Sequence, residues 1–221
     1  MIYSVQCEGA DFCQEISGSS DTSFARVYDG EPPSRRIAAT ERFELLADMS
    51  PLVAGHILLL PKDHYLSFAR VIENNLAELE DVLAQTIALY ANTFTTPLIL
   101  EHGSADGSDQ KACITHAHWH LLPVHGADVD VVLEQEGLMY QDIDGIADLG
   151  RAPWTRMPYY FRRYAGRSRI YLPPAGHQRQ YLRSVAGRAL AIEDPEWDYA
   201  VVIRKDALRL TMRMTADWEL A

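Results

Sequence analysis

Residues 113–124 read CITHAHWHLLPV, which places His116, His118 and His120 at every second position. Three of the chain's eight histidines fall inside this one short stretch. In a strand, residues two apart share a face, so the three imidazoles would line one side while Ala117, Trp119 and Leu121 line the other. Each imidazole on a buried face needs a hydrogen-bond partner, which makes an accidental polar lining a poor explanation. Catalysis or substrate binding and metal ligation both remain open. A His-x-His pair on a strand can start a metal site, but the outer two rings would stand about 13 Å apart along an extended strand, so one ion needs ligands from elsewhere.

Working outward, LILEHG (98–103) precedes the triad as a second strand across the polar, Gly-rich loop SADGSDQK. Before it, Ile72, Leu76, Leu79, Leu83, Ile87, Tyr90 and Phe94 recur at steps of three and four, which predicts a helix over 71–94 closed by Pro97. GHILLLP (55–61) reads as a short buried strand, and SFARVYD (23–29) with RIAATERFELLAD (36–48) as a hairpin of strands around DGEPPS. After the triad, YYFRRY (159–164) and SRIYL (168–172) predict a strand pair, HQRQYLRSVAGRALAI (177–192) a helix, and YAVVIRKDALRLTMRM (199–214) a final strand. Strands separated by one long helix predict an α+β fold: a mainly antiparallel sheet with the helix on one face. The texture changes near 150, so we divide the chain into a domain that carries the three histidines, 1–150, and an Arg-rich C-terminal α/β extension, 151–221, packed on it.

Composition and charge bound the function. At 221 residues, 48% of them hydrophobic and 23% charged, the chain has the composition of a globular protein. No apolar run approaches the ~20 residues that span a bilayer, and no export signal is visible, so a cytoplasmic protein with no membrane partner is expected. The net charge of −11 argues against nucleic acid as a partner. Its distribution is uneven: residues 1–150 hold 24 Asp or Glu and 7 Lys or Arg, whereas 151–192 hold nine Arg and no acid. These arginines either pair with acidic surface elsewhere or offer their planar forks to phosphate oxygens. Three cysteines, Cys7, Cys13 and Cys113, suggest reduced thiols or part of a metal site instead of a disulfide framework.

Two blocks, DMSPLVAGHILLLPKDH (48–64) and EHG…CITHAHWHLLPV (101–124), together resemble the histidine triad (HIT) superfamily of nucleotide hydrolases and transferases. The first block matches at Asp48, Pro51, Gly55, His56, Pro61, Lys62 and His64, the second at His116, His118, His120 and Pro123. The resemblance covers roughly residues 10 to 125. It implies a HIT-like fold, a homodimer, and attack by the middle histidine, His118, on the α-phosphorus of a nucleotide. The resulting nucleotidyl-imidazole is resolved by water or another acceptor. An imidazole with a pKa near 6.5 is mostly neutral and nucleophilic at pH 7. The resemblance further implies that His116 and His120 hold phosphate oxygens or keep the nucleophile's tautomer, that His56 approaches from the neighbouring strand, and that Asp48 accepts hydrogen bonds from ribose hydroxyls.

Some positions depart from the family pattern. Members commonly carry Gln and Ser or Thr just before the triad, against the leaving group, where this chain has Ala112 and Cys113; the usual Asn near the loop's start is replaced by Glu101 or His102. Cys113 would then meet the leaving group through its backbone N–H or weakly through sulfur. Some bacterial relatives bind structural zinc through a Cys-x-x-Cys pair plus two histidines, one of them the first of the triad. Here Cys7 and Cys13 lie further apart than that, so zinc is possible and no cofactor is required. In the extension, Gln178, Arg179 and Arg183 could lie over the site and bind a distal phosphate or leaving group. The expectation is a hydrolase at the α-phosphate of a nucleotide conjugate; the alternatives are nucleotidyl transfer to a sugar phosphate or other metabolite, and a noncatalytic nucleotide-binding regulator.

Overall fold

The computed structural model describes residues 10–105, 116–173, 180–192 and 204–221. Two short helices, α1 (Asp11–Ile16) and α2 (Ser23–Tyr28), lead into strands β1 (Arg36–Ala39), β2 (Phe43–Ala47) and β3 (Ile57–Pro61). The long helix α3 (Phe68–Thr93), strands β4 (Leu98–Gly103) and β5 (Trp119–Leu122), and helix α4 (Gly126–Gln135) follow. The chain continues through β6 (Tyr140–Ile143), α5 (Ile146–Leu149), β7 (Tyr159–Tyr164), β8 (Arg167–Tyr171), α6 (Tyr181–Ala189) and α7 (Lys205–Met214). The strands form one eight-stranded sheet in the order β1-β2-β3-β5-β4-β7-β8-β6. Every neighbouring pair is antiparallel. The protein is therefore α+β, as the alternation of strands and one long helix predicts.

Helix α3 buries Phe68, Val71, Ile72, Leu79, Val82, Leu83 and Tyr90, the three-and-four spacing of a single helical face. That face packs on Phe43, Leu45, Ile57, Leu59, Ile99, Trp119 and Leu121, which alternate along β2 to β5. The opposite sheet face is covered too, a difference from the one-sided sheet expected. Leu46, Leu58 and Leu60 pack on Phe12 of α1, and Leu98, Leu100, Leu122, Tyr160 and Tyr171 pack on residues of α4 and α6. Burial on both faces explains why β3 reads as an unbroken apolar run instead of an alternating one.

One buried carboxylate ties the long helix to the sheet. Ser67, at the N-cap of α3, makes no side-chain cap bond; instead Glu101 of β4 accepts the Phe68 N–H at 2.7 Å through Oε1. Its Oε2 accepts the Trp119 indole N–H at 3.0 Å and the Tyr159 hydroxyl at 2.7 Å. The carboxylate thus sits at the positive end of the helix dipole. Burial nevertheless pushes Glu101 up to about 7, against the lowering effect of these three donors.

Segments 23–29 and 199–214 correct the expected strands. Thr22 caps α2 by accepting the Ala25 N–H, and Phe24 stacks on Tyr28 with centroids 4.8 Å apart, one helical turn on. In α7, Leu208 and Thr211 are buried at helical spacing; residues 199–203 lie outside the described residues. The triad strand is also shorter than expected, since only His120 of the three histidines stands in a ladder, paired with Leu58 and Leu100.

The division at 150 falls inside a continuous sheet. Strand β7 pairs with β4 over Ile99↔Arg163 to Gly103↔Tyr159, and β6, before the division, pairs with β8, after it. The β7–β8 hairpin closes through Ala165 and Gly166, at φ 48° and 80°; two left-handed residues match the twist of the strands they join. Among the described residues, five arginines of 151–192 pair with acids: Arg151 with Asp148, Arg162 with Asp130, Arg169 with Asp130 and Asp142, Arg183 with Asp48, and Arg188 with Glu136. No helix among the described residues is long and apolar enough to cross a membrane.

Candidate active site

The turn between β2 and β3 brings Asp48 and His56 together. Gly55 has φ +86°, a left-handed conformation that favours glycine, and a side chain there would meet the Phe94 ring at 3.0 Å. Its carbonyl accepts the Tyr90 hydroxyl at 2.5 Å and its N–H donates to Thr211 Oγ1 at 2.8 Å. The turn is therefore clamped by α3 on one side and α7 on the other. Within it the Asp48 N–H donates to the His56 carbonyl at 3.0 Å. The Leu52 N–H donates to His56 Nδ1 at 3.2 Å.

These bonds determine where the imidazole protons sit. Because His56 Nδ1 accepts, a neutral His56 carries its proton on Nε2, which stands 2.9 Å from His120 Nδ1. His120 accepts there, so its own proton is on Nε2. His118 Nδ1 lies 2.7 Å from the His116 carbonyl, an acceptor only, so Nδ1 holds the proton and Nε2 bears the lone pair. His116 Nε2 donates to the Pro61 carbonyl at 2.8 Å, leaving Nδ1 as its lone pair. Burial holds all four rings in their neutral forms: His56 down to about 3, His116 down to about 4, and His118 and His120 below the ordinary histidine value. For Asp48, burial raises the carboxyl, but Arg183, His56, His120 and Arg35 outweigh it and keep the group ionised.

Two clusters of potential metal ligands differ in fitness. Cys13 Sγ lies 3.2 Å from His64 Nδ1 and 3.3 Å from His116 Nδ1. These separations suit three corners of a tetrahedral zinc site, and His116 already presents its lone pair inward, held by the Pro61 carbonyl as an outer partner. Asp48, His56 and His120 also converge, but His56 must keep its Nε2 proton to complement the Leu52 N–H, and Arg183 holds the carboxylate. That second set does not fit a cation.

His118, His120, Asp48 and Arg183 line one pocket together with Phe12, Phe24 and Arg35. Phe12 meets His118 edge-on at 5.4 Å and His116 at 5.8 Å. Arg35, 3% exposed, donates to Glu15 at 2.8 and 2.7 Å and to the Ala47 carbonyl at 3.0 Å, beneath the rings of Phe12 and Phe24. Of the expected site residues, His56, His116, His118, His120, Asp48 and Arg183 gather here, and Cys13 joins from α1. Cys7, Cys113, Gln178 and Arg179 lie outside the described residues. Sequence reasoning missed Phe12, Arg35 and the place of His64 beside Cys13; His64 stood in the quoted motif, whereas a lone Phe or Arg carries no spacing signal.

Arg183 reaches the pocket from α6, yet its guanidinium is engaged there: Nη1 donates to Asp48 Oδ2 at 2.8 Å and Nη2 to the Ser50 carbonyl. Asp48 Oδ1 accepts the Ser50 N–H at 2.7 Å.

Residues 29–127 match the family model described as the HIT domain. Among curated proteins, the chain is 28% identical over 109 residues to an uncharacterized HIT-like protein of Mycoplasma genitalium, covering 49% of this chain and 77% of that one. It is 24% identical over 106 residues to an adenosine 5′-monophosphoramidase of Candida albicans, covering 45% of this chain and 68% of the other. Among solved structures, a HIT family hydrolase from Clostridium thermocellum aligns at 24% identity and TM-score 0.35, over 53% of this chain and 91% of its own.

Proposed function

We propose, on the premise that this chain belongs to the histidine triad superfamily, that it is a nucleotide hydrolase acting at the α-phosphate of a nucleotide conjugate through a covalent intermediate on His118. The observation that carries this reading is the 2.7 Å contact from His118 Nδ1 to the His116 carbonyl, which leaves the Nε2 lone pair for attack. In the first step the Nε2–P bond forms as the bond from phosphorus to the leaving group breaks. The leaving group departs with the bonding pair and takes a proton from solvent. Water then adds to phosphorus, Nε2 departs with its electron pair, and the proton released by water passes to solvent.

His120, with its proton on Nε2 and its tautomer held by His56, is the donor to the phosphoryl oxygens, where negative charge grows in the transition state. His116 orients the nucleophile through its carbonyl. Supporting the reading, the Candida relative is named for hydrolysis of an adenosine phosphoramidate. The same reading takes the protein as a cytoplasmic homodimer with a small-molecule nucleotide substrate. It also assigns a structural zinc ion to Cys13, His64 and His116; the ion would brace α1 against the triad and supply no step of the reaction.

Rapid mixing with an adenosine phosphoramidate and with a dinucleoside polyphosphate, quenched by denaturant and followed by mass analysis, tests the reading. The parent should show a nucleotidyl adduct on the peptide bearing His118, and water as the final acceptor. Equal turnover by His118→Ala would overturn it, and label leaving on a second metabolite would identify a transferase instead. Light scattering checks the dimer.

A further inference from the structure

We propose that His102 is a further catalytic residue, the acid that protonates the leaving group as it departs and the base that receives a proton from the attacking water. The inference rests on the nucleotide reading of the site and gives a residue to the two proton transfers that reading leaves to solvent. Strand β4 pairs with β5 at Leu98↔Leu122, Ile99↔Leu121 and Leu100↔His120. Side chains two apart share a face, so one step further along this register sets His102 opposite His118, at the spacing of about 4.5–5.5 Å between Cα atoms of opposed residues. Glu101 turns to the other face, where Phe68, Trp119 and Tyr159 donate to it, as the alternation requires. His102, His118 and His120 accordingly line the same pocket.

The order of the strands puts His102 on the leaving-group side. Phe12 packs on Leu46, Leu58 and Leu60 of β2 and β3, so the apolar wall suited to a flat base stands on one side of β5. Strand β4 lies on the other side, and there His102 and Tyr181 of α6 form the pocket wall. Nucleoside and leaving group are separate substituents on phosphorus, so a nucleoside seated toward β3 directs the leaving group toward β4. The His102 ring is held in place: it meets Tyr160 of β7 edge-on at 4.9 Å, and Tyr160 in turn stacks on Tyr181 at 5.1 Å. Its Nε2 is buried, so Nδ1 is the nitrogen that can meet a ligand. Imidazole is also the side chain that both gives and takes a proton near neutral pH. As His118 Nε2 bonds to phosphorus, the bond to the leaving atom breaks, that atom keeps the electron pair, and protonated His102 passes it the Nδ1 proton. The neutral ring then takes a proton from water as the water oxygen bonds to phosphorus and His118 Nε2 departs with its pair, which returns His102 to its starting form.

The test compares two nucleoside 5′-phosphoryl conjugates, prepared with each of the four common bases: an alkylamine phosphoramidate, whose nitrogen must gain a proton to leave, and a p-nitrophenyl ester, whose phenolate leaves without one. His102→Ala and His102→Gln should lower kcat/KM for the phosphoramidate about 100-fold and for the ester by no more than about threefold. Activity on the ester shows that the variant is folded and its nucleophile in place, which a merely structural role for His102 would not leave intact. Equal losses on the two substrates, or no loss on either, overturn the inference. Should neither variant fold, aryl esters of graded phenol acidity are run on the parent: kcat/KM nearly independent of that acidity is expected, and a steep fall toward the weaker acids overturns the inference. If the parent turns over neither conjugate with any base and forms no adduct on His118, the nucleotide reading itself fails. An adduct on His118 together with equal losses in the His102 variants sinks this inference alone.

Discussion

His56 Nε2 stands 2.9 Å from His120 Nδ1, and the Leu52 N–H on the far side of the His56 ring makes His56 the donor in that contact. The direction of one backbone N–H therefore determines which nitrogen of His120 faces the pocket with a proton. His56→Ala should lower kcat by about 10- to 100-fold through a misdirected His120, as loss of an orienting partner does elsewhere. Because the two rings act as a unit, the double variant with His120→Ala should cost little more than the larger single loss. Steady-state kinetics on the three variants would show this, and additive losses would separate the two rings' roles.

Glu101 supplies a pH signature of its own. Its carboxyl is raised from 4.5 to about 7 in the folded chain, so the folded state holds a proton that the unfolded state has released between those values. Stability from this group is full below pH 4.5 and is lost as pH rises to about 7, a contribution of about 3 kcal/mol. Glu101→Gln should accordingly be most destabilised at low pH and recover relative to the parent by pH 8. Urea melts at pH 5 and 8 would reveal the trend, and a constant difference between the two proteins would contradict it.

His56 and His120 push the other way. Both are held below the ordinary histidine value by burial, His56 at about 3. As pH falls below 6.5 the unfolded chain takes up protons that the folded chain refuses, so their stabilisation is lost progressively on acidification. In Glu101→Gln, with the opposing carboxyl gone, melts between pH 6.5 and 5 should fall more steeply than in the parent. A flat profile in that variant would show that these rings are not neutral in the fold.

Thr211 of α7 accepts the Gly55 N–H at 2.8 Å, although α7 lies in the extension and Gly55 in the turn that carries His56. Thr211→Val keeps the shape and removes the acceptor, which should destabilise the protein by about 1–3 kcal/mol. The value of kcat/KM should fall with it, since Asp48 and His56 share the turn. A variant as stable as the parent would mean that the Gly55 N–H finds another partner.

Metal content tests the Cys13 cluster. Purified parent should carry about one zinc ion at Cys13, His64 and His116, and Cys13→Ala should lose it and melt at lower temperature. Chelation should reproduce the lower melting temperature in the parent. Zinc retained by Cys13→Ala would place the ion elsewhere.

Much of the part that carries the three histidines is written in local spacing. The three-and-four steps of Ile72, Leu76, Leu79, Leu83, Ile87 and Tyr90 specify α3, and the alternation through His116, His118 and His120 puts the imidazoles opposite Ala117, Trp119 and Leu121, which the core confirms. What escapes the sequence depends on partners far apart in the chain. Nothing near Arg183 announces Asp48, and nothing near Thr211 announces Gly55, because a contact between a helix and a distant turn leaves no mark in a short window. Short helices also elude alternation counts: Phe24 and Tyr28 show one turn of helix in a window that strand patterning fits equally well.

Strand β7 lies along β4 from Ile99 to Gly103, and this has a practical result for anyone dividing the gene. A fragment ending near residue 150 would bare the whole outer rim of β4, a row of unanswered amides and carbonyls beside the greasy side chains of Leu98 and Leu100. Such a fragment should stick to its own copies and precipitate. The last third of this chain acts as insulation for the rest.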